Sequence, residues 1–367
     1  MRLSVILWDG NVGGAEKLTA ELAGALRRQG IQATVVFVRD PKGLAADLDR
    51  NDVPYVTFGA RRVEEVLLRP RRFARLVREH GADGVLLPAM GLQAPTLRIG
   101  GYRAPIVAME HGILLLTPRM PLSWRLPHQI DRRLSAPFVD TVVAVSDFML
   151  DAVRREGIAR RAVRIHNGID IERYGGEHDR GTCVIGCATR LVPGKGVDRL
   201  VESFGRIAPA AQLRIAGDGP ERAQLAAVAP NGVEFVGVAD DMPAFWAGVD
   251  IAVMPSSLPE SFGMAALEAM ASGKPVVATR CGGVEELVED GVNGRLVPVG
   301  DDEALAAALL GYVEDVELRR EHGEAGRARC EREFSIGSCA TAYASLFAEL
   351  GGAPLPIPEP TLEEVHA

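Results

Sequence analysis

No apolar run in this 367-residue sequence approaches the roughly 18 residues that a membrane-crossing helix needs. The N-terminal stretch Leu3 to Trp8 follows Arg2 and is cut off by Asp9. It is shorter than a signal-peptide core of about 7–15 residues and suits a first buried strand. Cysteine is sparse: five residues (183, 187, 281, 330 and 339), an odd number, scattered and without a C-x-x-C pair. Cys183 and Cys187 fall in one apparent strand, where four residues span about 13 Å, too far for a disulfide. Reduced thiols of a cytoplasmic protein are the expectation. An excess of positive charge is lacking too. Lys plus Arg is 41 against 49 Asp plus Glu, a net charge of −8, which argues against a general nucleic-acid binder.

What is present is an ordinary globular composition, 47% hydrophobic and 25% charged. It excludes a wholly disordered, collagenous or coiled-coil chain, and the length suits two domains or three. The charge is unevenly spread. Residues 1–175 carry 26 basic and 19 acidic side chains, leaving 15 and 30 for the rest, as separate domains with different surroundings would.

Short Val/Ile/Leu-rich runs alternate with helical patterns along nearly the whole chain. Strands are expected at 3–8, 33–38, 84–88, 106–110, 141–145 and 163–165, then at 183–188, 211–216, 233–236, 250–254, 275–278 and 295–297. Amphipathic stretches such as 15–29, 71–80, 147–156, 196–207, 220–228 and 263–272 lie between them. Continuous apolar strands alternating with helices imply parallel sheets covered on both faces. The series runs twice, so the expectation is an α/β chain of two doubly wound Rossmann-like domains facing a central cleft. Their bounds are placed at 1–170 and 171–335, across the Gly- and charge-rich stretch Asn167 to Thr182. Helices near 302–312, 316–331 and 336–350 follow, then a Pro-rich tail, 351–367, expected to be disordered.

Open α/β sheets bind ligands outside the carboxyl ends of their strands. After the first strand come Asp9-Gly10-Asn11-Val12-Gly13-Gly14-Ala15-Glu16, glycines that let backbone approach an anion. The spacing is not G-x-G-x-x-G and no acidic residue lies about 20 positions on. A tight turn without ligand remains the alternative. After strand 183–188 come Thr189-Arg190-Leu191-Val192-Pro193-Gly194-Lys195-Gly196. Two cations ahead of a helix suit a diphosphate, although Gly196 stands where a P-loop needs Ser or Thr; exposed surface charges are the plainer reading. The sharpest feature is Pro259-Glu260-Ser261-Phe262-Gly263-Met264-Ala265-Ala266-Leu267-Glu268. With a helix starting near Phe262, the amides of Phe262, Gly263 and Met264 would point unsatisfied toward a phosphate. Glu260 would accept from sugar hydroxyls and Glu268 from a ribose. A Glu at a helix start is also ordinary dipole compensation.

Glu260 and Glu268 form the E-x7-E pattern of retaining GT-B glycosyltransferases, and the chain most resembles family GT4, glycosyl transferases group 1. Other marks agree in order: Gly13-Gly14-Ala15-Glu16, Glu110-His111-Gly112, Val145-Ser146, Asn167-Gly168-Ile169-Asp170, Arg190 with Lys195-Gly196, Gly217-Asp218-Gly219-Pro220, Gly273-Lys274-Pro275-Val276, and Gly282-Gly283 with Glu285. Any one is weak; the ordered set, spanning about residues 3 to 345, is specific. The resemblance implies a hexose-type sugar carried on a nucleoside diphosphate, UDP or GDP first, held mainly by the C-terminal domain. The acceptor, a glycan, a lipid-linked sugar or a small metabolite, would be held mainly by the N-terminal one. Arg190 and Lys195 would neutralise the diphosphate, helped by the Gly14 amide, Glu260 would hold the donor sugar, and Gly13 and Ser261 would belong to the same donor site. The base would sit near Val236, Gly237 and Val238. His111, after strand 106–110, would contact the donor sugar or assist at the reaction centre, which makes His111 and Glu260 the catalytic candidates. The final helix would cross back onto the first domain.

No second carboxylate is placed as a nucleophile opposite Glu260. The implied chemistry is same-face transfer, the leaving phosphate oxygen taking the acceptor proton. Neither a metal nor a further cofactor is expected: Asp47-Leu48-Asp49 sits in a polar helical stretch, Asp240-Asp241 reads as a helix start, and no His/Cys cluster has zinc spacing. Arg61, Arg62, Arg69, Arg71, Arg72, Arg75 and Arg78, interleaved with Leu67, Leu68, Phe73, Leu76 and Val77, suit peripheral contact with an anionic inner membrane face. So does Leu114 to Arg133. Solvated faces of packed helices are the alternative. Two rival functions stand: a nicotinamide-dependent oxidoreductase of two Rossmann-type domains, and a non-enzymatic solute-binding protein.

Overall fold

A computed structural model describes residues 1–10, 14–112, 122–175, 181–207 and 210–351. They form two compact units, Met1–Gly168 together with the C-terminal helix Ile336–Gly351, and Ile169–Ser335. The first unit carries β1 (Arg2–Leu7), β2 (Gln32–Phe37), β3 (Tyr55–Thr57), β4 (Gly84–Leu87), β5 (Ile106–Glu110), β6 (Thr141–Ala144) and β7 (Ala162–Arg164). They pair in parallel in the order β3-β2-β1-β4-β5-β6-β7. The second carries β8 (Cys183–Ala188), β9 (Ala211–Ala216), β10 (Val233–Gly237), β11 (Ile251–Met254), β12 (Val276–Thr279) and β13 (Gly294–Val297). These pair, also in parallel, as β10-β9-β8-β11-β12-β13. The alternation of apolar runs and helices therefore resolves as two doubly wound sheets.

The β-branched runs drive this. Val35, Val36, Val107 and Val143 are all 0% exposed, as expected where helices cover both faces of a sheet. Each unit has its own core, around Val36, Val85 and Ile106 in the first and Ile185, Leu213 and Ile251 in the second. The C-terminal helix is tied into the first unit by polar contacts. Gln29 Nε2 donates to Gly337 O at 2.8 Å and to Thr341 Oγ1 at 3.0 Å, and Arg161 grips Glu349 with two bonds of 2.7 and 2.9 Å.

Some elements differ from the sequence expectation. β3 has no apolar run to announce it: three residues at the sheet edge, part-exposed, held by pairing to β2. The short helices Ala45–Arg50, Val63–Leu68 and Gln93–Ile99 lack the two full turns over which a 3.6-residue period shows. The helix placed at 263–272 begins only at Met264. Asp241 does start a helix, Met242–Ala247, its carboxylate accepting from Ala244 N at 3.0 Å. Asp47 of the DxD string pairs with Arg50 at 2.8 Å within its own helix. All five cysteines are free. Gly13, residues 114–121 of the Leu114 to Arg133 stretch, and 352–367 of the tail lie outside the described residues. Among those described, no helix is long and apolar enough to cross a membrane.

In both sheets the strand order reverses beside the first strand, between β1 and β4 and between β8 and β11. Ligands of doubly wound folds bind at the carboxyl ends of such a pair.

Candidate active site

Three loops at the carboxyl ends of β8, β11 and β12 are laced together in the second unit. Gly194 O accepts from Ser257 N at 2.8 Å and from Leu258 N at 3.1 Å, which joins the loop after β11 to the loop after β8. Glu260 N donates to Cys281 O at 3.0 Å, and Gly283 N donates to Glu260 O at 2.7 Å, joining β11's loop to β12's. Glycine makes the approach feasible. Gly196 has φ +73°, and a Cβ there would lie 1.9 Å from Pro255 O. At Gly217 a Cβ would lie 1.8 Å from Thr189 O.

The lacing brings two predicted residues, 65 positions apart in sequence, into direct contact. Lys195 Nζ donates to Glu260 Oε1 at 2.5 Å. Lys195 is only 8% exposed, so its charge has little water and relies on the carboxylate. Arg190, on the same loop, is exposed and has no ion-pair partner among the described residues. The pair spans the β8/β11 reversal, and Arg190 stands on the loop that carries Lys195.

Glu268 lies in the helix Met264–Ala271, part-buried, and accepts from Trp246 Nε1 at 3.1 Å. Gly263 precedes that helix with φ +104°, a left-handed turn that aims the chain into it. Ser261 and Met264 are half-buried on either side. Phe262 is a core residue, 2% exposed, its ring edge-on to Phe334 at 5.8 Å, so its side chain is closed to a ligand. Gly237 ends β10 at a bulge, its carbonyl accepting from Gly217 N at 2.7 Å. Val238 follows it and is 69% exposed, an apolar side chain held in solvent.

Two further predicted residues belong to the first unit. Gly14 is exposed and opens the helix Gly14–Arg28 after β1. His111 follows β5, half-buried, and burial pushes its imidazole down to about 4, so the ring is neutral at pH 7. The turn that carries it is braced by its neighbour: Glu110 Oε1 accepts from Gly112 N at 2.8 Å, and Oε2 accepts from Arg132 Nη2 at 2.7 Å. Both partners of this ion pair are buried.

Sequence reasoning missed Trp246, and it took Arg132 as a surface cation of the Leu114 to Arg133 stretch, whereas Arg132 is buried against Glu110. Nothing local marks either of them, although Trp246 is one of only three tryptophans and follows a recognised helix start. It also missed that Cys187 and Cys281 flank the Lys195–Glu260 pair. Burial raises these thiols to about 12 and about 11, which keeps them protonated and unreactive.

The family model for glycosyl transferases group 1 matches residues 182–315, and that for glycosyltransferase family 4 matches residues 12–173. The alpha-maltose-1-phosphate synthase of Mycolicibacterium smegmatis is 31% identical over 273 residues, 64% of this chain and 70% of that one. The chain is a family 4 glycosyltransferase. Over nearly its full length the enzyme is 28% identical to the lipopolysaccharide core biosynthesis glycosyltransferase LpsE of Rhizobium meliloti, covering 92% of this chain and 97% of the relative. The crystal structure of Anabaena HepE in complex with UDP-glucose superposes on it with a TM-score of 0.81 at 25% identity, covering 95% of this glycosyltransferase and all of HepE. Its two doubly wound units are those of the GT-B fold. None of these relatives supports the oxidoreductase or the solute-binding reading.

Proposed function

We propose that this glycosyltransferase moves a hexose-type sugar, with retention at the anomeric carbon, from a UDP- or GDP-linked donor to a hydroxyl of a glycan, lipid-linked or small-metabolite acceptor. The observation that carries this reading is the Lys195–Glu260 pair across the β8/β11 reversal, with the exposed Arg190 on the loop that carries Lys195. A diphosphate meets Arg190 and Lys195, which stabilise the charge that develops as the leaving group departs. Glu260 and Ser261 address the sugar, the Phe262, Gly263 and Met264 backbone lies at the phosphate, Glu268 takes the ribose, and Gly237 and Val238 take the base. The Gly13-Gly14 backbone adds to the diphosphate site. His111, neutral at pH 7, serves the sugar as a hydrogen-bond partner rather than as a charge. The bond from C1 to the phosphate oxygen breaks on the face where the acceptor oxygen bonds to C1. The acceptor proton passes to the released phosphate oxygen.

A specific observation favours membrane contact by the first unit. Leu68 is 79% exposed, Ile99 69%, Leu134 57% and Leu126 50%; the last two share the helix Leu122–Ser135 with the exposed Arg133, and the exposed Arg69 follows Leu68 directly, ahead of Arg71 and Arg75 on the next helix, Pro70–His80. Arg72 and Arg78 serve structure instead, stacked on Phe58 at 5.1 Å and donating to Gly101 O at 2.9 Å.

Thermal shifts with UDP, GDP, ADP, dTDP and NAD(H), with and without EDTA, test the donor. A ligand at 100 times its Kd adds about 2.7 kcal/mol. The expected result is a shift with one nucleoside diphosphate, insensitive to EDTA and lost in R190A and K195A. The glycoside formed on an acceptor that turns over is then read by NMR. A shift with NAD(H) alone, or an inverted anomer, overturns the reading. Sedimentation with vesicles of phosphatidylglycerol tests membrane contact; equal binding to neutral vesicles, or none, removes it.

A further inference from the structure

Trp246 has so far been given no role beyond its hydrogen bond to Glu268, yet its position relative to that carboxylate is unusually well defined. The indole is 0% exposed, in the short helix Met242–Ala247. That helix is fixed at its start by the Asp241 cap and by Pro243 in its first turn. Phe245 stacks edge-on against the indole at 5.0 Å, and Arg214 lies over the Phe245 ring at 5.9 Å. The ring therefore has one place to be. Its single N–H, a donor with no acceptor capacity, meets Glu268 Oε2 at 3.1 Å.

A free glutamate on a helix surface has three rotatable bonds and no reason to hold its carboxylate in one plane. An indole donor bound to one oxygen removes that freedom, and the carboxylate then faces a ligand with a fixed pair of acceptor directions. Two neighbouring ribose hydroxyls are matched by such a fixed pair. A deoxyribose is not, because it brings fewer hydroxyl donors to that pair.

We infer that Trp246 is a positioning residue that fixes the Glu268 carboxylate for the vicinal hydroxyls of a ribose, and so sets the enzyme's preference for ribonucleotide over deoxyribonucleotide donors. This rests on the reading of Glu268 as the ribose acceptor. Trp246 itself touches no ligand.

The test is calorimetric titration of the full chain and of W246F with UDP and GDP, each against its 2′,3′-dideoxy form. The wild-type chain is expected to bind the ribose form at least about tenfold more tightly, as hydrogen bonds to a charged acceptor allow. W246F is expected to reduce that ratio severalfold by weakening the ribose form, with affinity for the dideoxy form unchanged. An unchanged ratio in W246F, with discrimination intact in the wild type, overturns the role of Trp246 and leaves Glu268 as it was. A wild-type chain that does not discriminate overturns the reading of Glu268, and this inference with it. A general loss of packing would weaken both forms equally, which also overturns it. Should W246F not fold, the variant W8F/W124F leaves Trp246 as the only fluorophore of its kind. Its emission is expected to shift with the ribonucleotide and not with the dideoxy form, and identical responses refute the inference.

Discussion

Arg132→Met removes the counter-charge of a buried carboxylate, together with a longer contact to Glu156. In the native chain Arg132 Nη2 lies 2.7 Å from Glu110 Oε2, with both side chains under 10% exposed, and Nη1 lies 3.8 Å from Glu156. Even at an effective dielectric of about 20 the direct attraction at this separation is on the order of 6 kcal/mol. Desolvation offsets part of it, so losing one partner should destabilise by about 3–5 kcal/mol. For a unit of this size that lowers Tm by roughly 6–20 °C. The pH dependence has a definite sign. Burial raises the Glu110 carboxyl and Arg132 pulls it back; without Arg132 it rises further. A carboxyl whose folded pKa exceeds its unfolded one contributes stability that is complete below the unfolded value and is lost as pH rises through the folded value. The deficit of R132M should therefore be large at pH 8 and shrink toward pH 5, where Glu110 takes up a proton. R132M/E110Q, with no charge to strand, should recover much of the loss at pH 8. Differential scanning fluorimetry of the wild type, both single variants and the double variant at pH 5 and 8 reads all of this. A loss in R132M below about 1 kcal/mol, or one equal at both pH values, refutes the reasoning. Because Glu110 also accepts from Gly112 N, turnover should fall in R132M at temperatures where the chain is still folded.

Other outcomes follow from the same geometry. Gly196→Ala meets both a positive φ and a carbonyl 1.9 Å from its new Cβ; it should abolish the nucleotide-induced thermal shift that the wild type shows. His322 is buried against Tyr312, its Nδ1 2.7 Å from the hydroxyl, and burial holds its pKa below the usual value. A depressed folded pKa means stability that is present above the unfolded value of about 6.5 and lost as pH falls. H322Q should then melt with a flatter profile between pH 7 and 5 than the wild type. His111, pushed down to about 4, should contribute no ionisation to the rate between pH 5.5 and 8. H111A should lower kcat without adding or removing a limb of the pH profile, and a limb near 6.5 that vanishes in H111A would refute its neutral role.

The sequence by itself determined the two parallel sheets, because a strand buried on both faces must be continuously apolar and its crossover helix must be amphipathic. Those patterns are local and survive without neighbours. It also marked the loops at strand ends, since glycines and charges gather where backbone bends and ligands meet polar groups. Three kinds of feature were not legible. β3 is three residues at the sheet edge, paired to β2, and Tyr55–Thr57 is too short for its strand-favouring side chains to show as a run. Phe262 sits inside the glutamate motif but faces Phe334, and a motif does not say which of its side chains turns inward. The partners of the site residues were invisible as well. Lys195 finds Glu260 across 65 positions, Glu268 finds Trp246 across 22, and Glu110 finds Arg132 across 22. A buried charge needs a partner, and the chain can name the charge; only the packed sheets and helices decide which distant group is near enough to answer it.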